Sequence, residues 1–176
     1  MIFKNKSHQV EKIYQNIVEI SRSKFFYIEF DLEDTFETRF DLITFHAFII
    51  FYFYRTSKIS DSTVPQDLFD HMFNDLENNL REMGFGDIAV NKKMKTFVKA
   101  FYGRLSNYSK GADLNKDEGD KTLLEQTILN NIFKGKLNER KYISVFVDYM
   151  IKNINNFQNK SEIENLESNF GFMKFN

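Results

Sequence analysis

A chain of 176 residues with 42% hydrophobic side chains is long enough for one domain with a substantial core, and short for two. Its net charge of −1 excludes binding driven by overall charge, either to nucleic acid or as a polyanion mimic. The absence of Cys excludes disulfides and thiolate metal sites, and fits a reducing compartment.

The 21 Phe promise a core built largely from rings. Polar residues from Ser7 to Lys12 stand where a signal peptide would be apolar. The longest apolar run, Leu42 to Tyr54, has 13 residues, whereas a spanning helix needs about 20. It contains His46 and is flanked by Arg39, Asp41 and Arg55, so it reads as a buried helix.

Helical spacing dominates. A first helix fits Ser7 to Ser21, with Val10, Ile13, Tyr14, Ile17, Val18 and Ile20 near one face. Residues 24–33, KFFYIEFDLE, read as a strand-like connector or an irregular segment packing Phe25, Phe26 and Phe30. Asp34 and Glu37 have capping-box spacing, so a central helix is expected from Asp34 to Thr56. After the polar stretch Ser57 to Thr63, Pro65 suits the first turn of a helix ending near Met83.

Gly84-Phe85-Gly86 then forms a turn, with Gly84 taking a left-handed cap and Gly86 relieving the bend. The next helix is expected from Asp87 to Lys110, its inner stripe running through Met94, Phe97, Val98, Phe101, Leu105 and Tyr108. Gly111 to Gly119 reads as a polar loop. Asp120 to Lys134 reads as a helix stopped by Gly135, and Asn138 caps another reaching Phe157. Ser161 and Glu164 suggest a cap for a short last helix, and Asn169 to Asn176 an extended end that docks its aromatics. The expected fold is all-α, a single domain over residues 1–176 with six to seven helices.

Three constellations bear on function. His46 sits in the most apolar helix, either as a core histidine bonded to Arg39, Asp41 or another helix, or as a proton carrier, a haem or metal ligand or a quinone contact. Neither His8 nor His71 is spaced to form a ligand set with it. The acids Asp67, Asp70, Asp75, Glu77 and Glu82 match no calcium loop and read as a solvated face. No Ser-His-acid order and no phosphate loop is present, so the residues offer no catalytic site and imply no cofactor or metal. The bases Lys92, Lys93, Lys95, Lys99 and Arg104 either pair with those acids or stay free for RNA, lipid headgroups or an acidic partner. Tyr102 and Tyr108 would add stacking.

The residues YQNIVEISRS from Tyr14, DTFETRFDLITFHAF from Asp34, LFDHMFNDLENNLREMGFGD from Leu68 and KKMKTFVKAFYGRLSNY from Lys92 resemble the ubiquinol–cytochrome c chaperone family. Weaker similarity runs through Leu124 to Phe133 and Tyr142 to Met150. The resemblance implies an all-helical, non-enzymatic domain without cofactor. Mitochondrial members bind newly made cytochrome b, work beside the ribosome exit region and pair with a small helical protein. They also carry an N-terminal extension, whereas this chain begins almost at the domain.

On this resemblance Asp34, Phe36, Arg39, Phe40, Asp41, His46, Phe101, Tyr102 and Gly103 belong to the structural motif, His46 included. The expected contact surface is Glu82, Met83, Gly84, Phe85, Gly86 and Asp87 with Lys92, Lys93, Lys95, Lys99 and Arg104. The expected client is cytochrome b or another apolar segment, met in the cytoplasm or peripherally at the inner membrane. A general membrane- or ribosome-associated interaction module is the other reading of the same surface.

Overall fold

In a computed structural model of the chain, residues 2–57, 63–136, 139–159 and 171–174 are described. Among them lie seven helices: α1 (Ile2–Ser21), α2 (Lys24–Glu29), α3 (Phe36–Thr56), α4 (Val64–Glu82), α5 (Asp87–Glu118), α6 (Thr122–Asn131) and α7 (Arg140–Asn159). No strand occurs among the described residues, and the fold is all-α as expected. No helix among them is long and apolar enough to cross a membrane.

The hydrophobic run from Leu42 has no polar side to turn to solvent, so it must be enclosed. The fold does this by packing α1, α4, α5 and α7 around α3. Leu42, Phe45, Ala47, Phe48, Ile49 and Ile50 are all fully buried. Rings from other helices complete the core: Phe26, Phe101, Phe146 and Phe157 are also fully buried. Each such ring contributes roughly 2–3 kcal/mol relative to exposure.

Several expected boundaries move, each for a physical reason. Segment 24–33 opens with a helical turn rather than a strand; Phe26 and Phe30 enter the core while Phe25 stays at the surface. Asp34 does not cap α3. Thr35 does, its Oγ1 accepting the Thr38 N–H at 3.1 Å. Asp34 is taken by Arg39, whose Nε and Nη2 donate to its two oxygens at 2.6 and 2.8 Å. A bidentate guanidinium outcompetes a cap bond for the same carboxylate. Pro65 lies in the first turn of α4 as its missing N–H requires.

The largest correction concerns Gly111 to Gly119, which is not a loop but the last turns of α5 with their C-terminal cap. Gly111 allows close helix packing: a Cβ there would lie 2.9 Å from Leu124 Cγ. Ala112 is buried, and Asp113 accepts from Tyr52 Oη at 2.9 Å and Arg55 Nη2 at 2.5 Å. Tertiary contacts thus carry the helix past a residue of low propensity. The stop falls at Gly119, in the left-handed region with φ +73°.

α6 starts at Thr122 and ends at Asn131, inside the expected span, and Gly135 follows with φ +74°. The cap expected at Asn138 and the last helix expected from Ser161 lie outside the described residues. At the end of the chain, residues 171–174 have no regular secondary structure, and Phe172 packs on His46 and Phe157.

Candidate functional site: the α4–α5 hairpin and its basic face

The hairpin turn is closed by a short network. Gly84 takes φ +87°, a conformation that favours glycine, and the Phe85 N–H returns to Leu80 O at 3.2 Å. Gly86 needs no special freedom; its backbone is extended. Arg81 bridges Glu77 on its own helix and Asp87 across the turn. Phe85 lies half-buried beneath the Lys93 ammonium, 4.7 Å from the ring centre. On either side of it Met83 and Ile88 stand out, 57% and 88% exposed. Glu82 is exposed beside them.

From Ile88 a strip runs along the outer side of α5 through Lys92, Lys95, Lys99 and Tyr102, at alternating spacings of four and three. That spacing keeps all five on one face, opposite Val90, Phe97 and Phe101. The three lysines are exposed and make no ion pair among the described residues. The acids of α4 other than Glu82 are engaged elsewhere, Glu77 with Arg81. Asp75 accepts from Tyr14 Oη at 2.6 Å, Asp67 from the Thr63 hydroxyl at 2.7 Å and Asp70 from Gln66 at 2.8 Å. Burial and the Asp75 carboxylate together push the Tyr14 phenol well above its ordinary range. Among the described residues no acid of α4 forms an ion pair with a lysine of α5.

Arg104 is the exception among the expected bases. It leaves the strip and forms an ion pair with Asp41 on α3, Nη2 to Oδ1 at 2.6 Å, with its guanidinium over the Phe40 ring. Lys134, from the turn after α6, reaches the other Asp41 oxygen. The signal was present in the sequence: Arg104 follows Phe97 by seven residues and Phe101 by three, the spacing of the inner face.

Of the motif residues, Phe36, Phe40, Asp41 and Phe101 meet at this joint between α3 and α5. Phe36 and Phe40 both contact the Phe97 ring, at 5.6 and 4.7 Å between centres. Phe101 meets Phe51, Phe69 and Phe73. Tyr102 is 55% exposed with its ring against Phe69, and Gly103 faces open space.

His46 is fully buried. Its Nδ1 lies 2.8 Å from Leu42 O and 3.0 Å from Ser21 Oγ. A carbonyl can only accept, so Nδ1 carries the proton and Nε2 is the bare nitrogen. The partner thus comes from α1 and from its own helix, not from Arg39 or Asp41. Burial lowers its pKa to about 4, so the ring is neutral. Phe26, Phe45, Tyr149 and Phe172 surround it edge-on. Among the described residues no cluster of His or acids is arranged to hold a metal.

Away from the hairpin turn, a cleft of about 60 Å³ opens between α1, α3 and α4, with Phe36, Ile43 and Leu76 in its apolar wall and Arg22 and Arg39 also lining it.

Comparison with known proteins joins these observations. The family described as Ubiquinol-cytochrome C chaperone matches over residues 29–172. Among solved structures, the crystal structure of the Cbp3 homolog from Brucella abortus is similar, with a TM-score of 0.82 at 26% identity. That likeness covers 98% of this chain and 92% of that chain. No curated protein matches the chain.

Proposed function

Because the chain belongs to the Ubiquinol-cytochrome C chaperone family, we propose that it is a non-enzymatic assembly chaperone of the respiratory cytochrome bc complex that holds newly made cytochrome b. Family membership implies a client protein. Cytochrome b is our reading of which one, and residues 1–176 act in it as one domain. The chemistry required is reversible burial of apolar surface, and nothing in it calls for a cofactor or a covalent step.

The observation that carries the proposal is the hairpin end: Met83 and Ile88 exposed around Phe85, continuous with three exposed lysines that make no ion pair among the described residues. Isolated exposed apolar residues are ordinary, but a cluster at one turn beside free cations suits a client that is apolar and lies near negative charge. A membrane protein emerging beside ribosomal RNA and anionic headgroups has those properties. In this reading Met83, Phe85 and Ile88 touch the client, and Lys92, Lys95 and Lys99 hold the protein peripherally at the cytoplasmic side of the inner membrane or at the ribosome exit. Lys93 supports Phe85, while Arg104 serves the fold. The enclosed His46 ring supports a structural role over haem or quinone handling.

A photo-crosslinking residue at position 88, followed by mass spectrometry of the adducts, tests this. Cytochrome b is the expected adduct. Adducts spread over many unrelated proteins would favour a general interaction module, and their absence would move the client surface elsewhere.

A further inference from the structure

A second feature lies where α7 packs on α3. Helix α7 presents Tyr149, Asn153 and Phe157 at four-residue spacing, and therefore on one face. Tyr149 of that face meets His46 of α3 directly, and beside it residues 171–174 lie against both helices. Phe172 stands edge-on to His46 at 5.2 Å and to Phe157 at 5.6 Å. The next main-chain N–H, that of Met173, donates to Asn153 Oδ1 at 2.8 Å. Asn153 is fully buried, and its Nδ2 donates to Tyr149 O at 2.9 Å.

The amide is thus fixed by its own helix, with its oxygen aimed at a main-chain donor. With the segment in place the buried amide oxygen is satisfied by a main-chain donor, the group that an extended peptide would offer it. Aromatic walls plus one main-chain acceptor are the elements by which proteins hold extended peptides, the backbone bond setting direction and the ring setting specificity. The segment is anchored through Phe172 and the Met173 N–H, while Gly171 and Lys174 are exposed and Met173 is 42% exposed. Segments with few buried contacts open locally at low cost.

We propose that this slot is a peptide-binding site for an extended apolar stretch of the client, with the chain's own residues 171–174 as the resident competitor. The client's aromatic side chain takes the place of Phe172, and the main-chain N–H after it takes the place of that of Met173. A competitor on the same chain acts at high effective concentration, so weak binders are excluded and a client already held elsewhere gains entry. The source of the occupant rests on the chaperone reading given above; the slot does not.

The test uses full-length protein, wild type and Phe172→Ala, titrated with a labelled peptide NFGFMKFN, the sequence of residues 169–176. The variant is expected to bind it saturably, and the wild type about tenfold or more weakly. The same peptide with Phe172→Ala, or with an N-methyl group on Met173, is expected to lose about tenfold, since each removes one element of recognition without altering the protein. Equal binding by wild type and variant, equal binding of all three peptides, or no binding would overturn the slot. Should Phe172→Ala fail to fold, Phe172→Leu is read by the same criteria. Unlabelled cytochrome b segments bearing an aromatic residue are then added as competitors. Displacement supports the assigned occupant; bound tail peptide that none of them displaces overturns the occupant and leaves the slot standing.

Discussion

Arg104 reaches Asp41 at 2.6 Å from the same helix whose lysines 92, 95 and 99 face outward. Asp41 is nearly inaccessible, while Arg104 is partly so and Lys134 is half open to solvent. Burial raises the Asp41 carboxyl above its ordinary range despite both cations. Desolvation therefore outweighs the attraction. Such a pair costs most when only one member is removed.

Arg104→Met is accordingly expected to destabilise the fold by about 3–5 kcal/mol, because a buried carboxylate loses its better-enclosed partner. Asp41→Leu combined with Arg104→Met is expected to cost less than the sum of the single changes, since Lys134 can then return to water. Urea midpoints of the three variants check this. Additive losses would show that the two residues stabilise the fold independently.

His46 gives the protein an acid sensitivity with a defined window. Its folded pKa, lowered by burial to about 4, lies below the ordinary value of 6.5. The unfolded chain therefore binds the proton first as pH falls. The stability associated with the neutral ring is complete above about pH 6.5 and is lost progressively down to about pH 4, a change of about 3 kcal/mol. Urea unfolding at pH 7 and pH 4.5 measures it. His46→Leu is expected to flatten that part of the profile even if it lowers stability at both values.

Much of this was legible in the sequence because local rules and tertiary packing agree there. The apolar run from Leu42 could only be a central helix, and Gly84 adopts the cap conformation its position suggested. The failures come where a distant residue decides. Asp34 looked like a cap until Arg39 took its carboxylate. Gly111 looked like a helix end, but Leu124 needs its missing side chain. At the site, the lysine strip could be drawn from spacing alone, whereas its freedom depended on where Asp67, Asp70 and Asp75 found partners. Ile88 and Asn153 carried no local signal, because exposure and a bond to a remote backbone are properties of the folded chain.

Gly111 and Gly103 lie on one helix and are expected to respond oppositely to alanine. At Gly111 the new methyl would meet Leu124 Cγ and Cδ2 at 2.9 Å and Leu124 N at 3.1 Å, so the Leu124 side chain must move and its backbone must give slightly. Overpacking of this kind costs about 1–3 kcal/mol, less the helix propensity gained. At Gly103 nothing lies within 4 Å, and alanine is expected to stabilise by about 0.5–1 kcal/mol. Thermal unfolding of the two variants measures the difference. If Gly103→Ala raises stability yet weakens client or partner binding, then a partner backbone approaches α5 at that point.

The strip itself separates fold from function. Lys92, Lys95 and Lys99 make no ion pair among the described residues, so replacing all three with Glu is expected to change stability by about 1 kcal/mol or less. Their proposed role is to meet negative charge, and binding through them falls as salt rises, because exposed charges are screened over about 8–10 Å at physiological ionic strength. Wild-type protein is therefore expected to co-sediment with ribosomes or anionic vesicles at low salt, and the triple variant is not. Ile88→Asp is a second, independent probe. It removes an apolar contact that is 88% exposed, so folding should be indifferent to it. Under the proposed surface it weakens client capture at every salt concentration. A triple variant that co-sediments like wild type, alongside an Ile88→Asp variant that captures client normally, would move the working surface off the hairpin altogether.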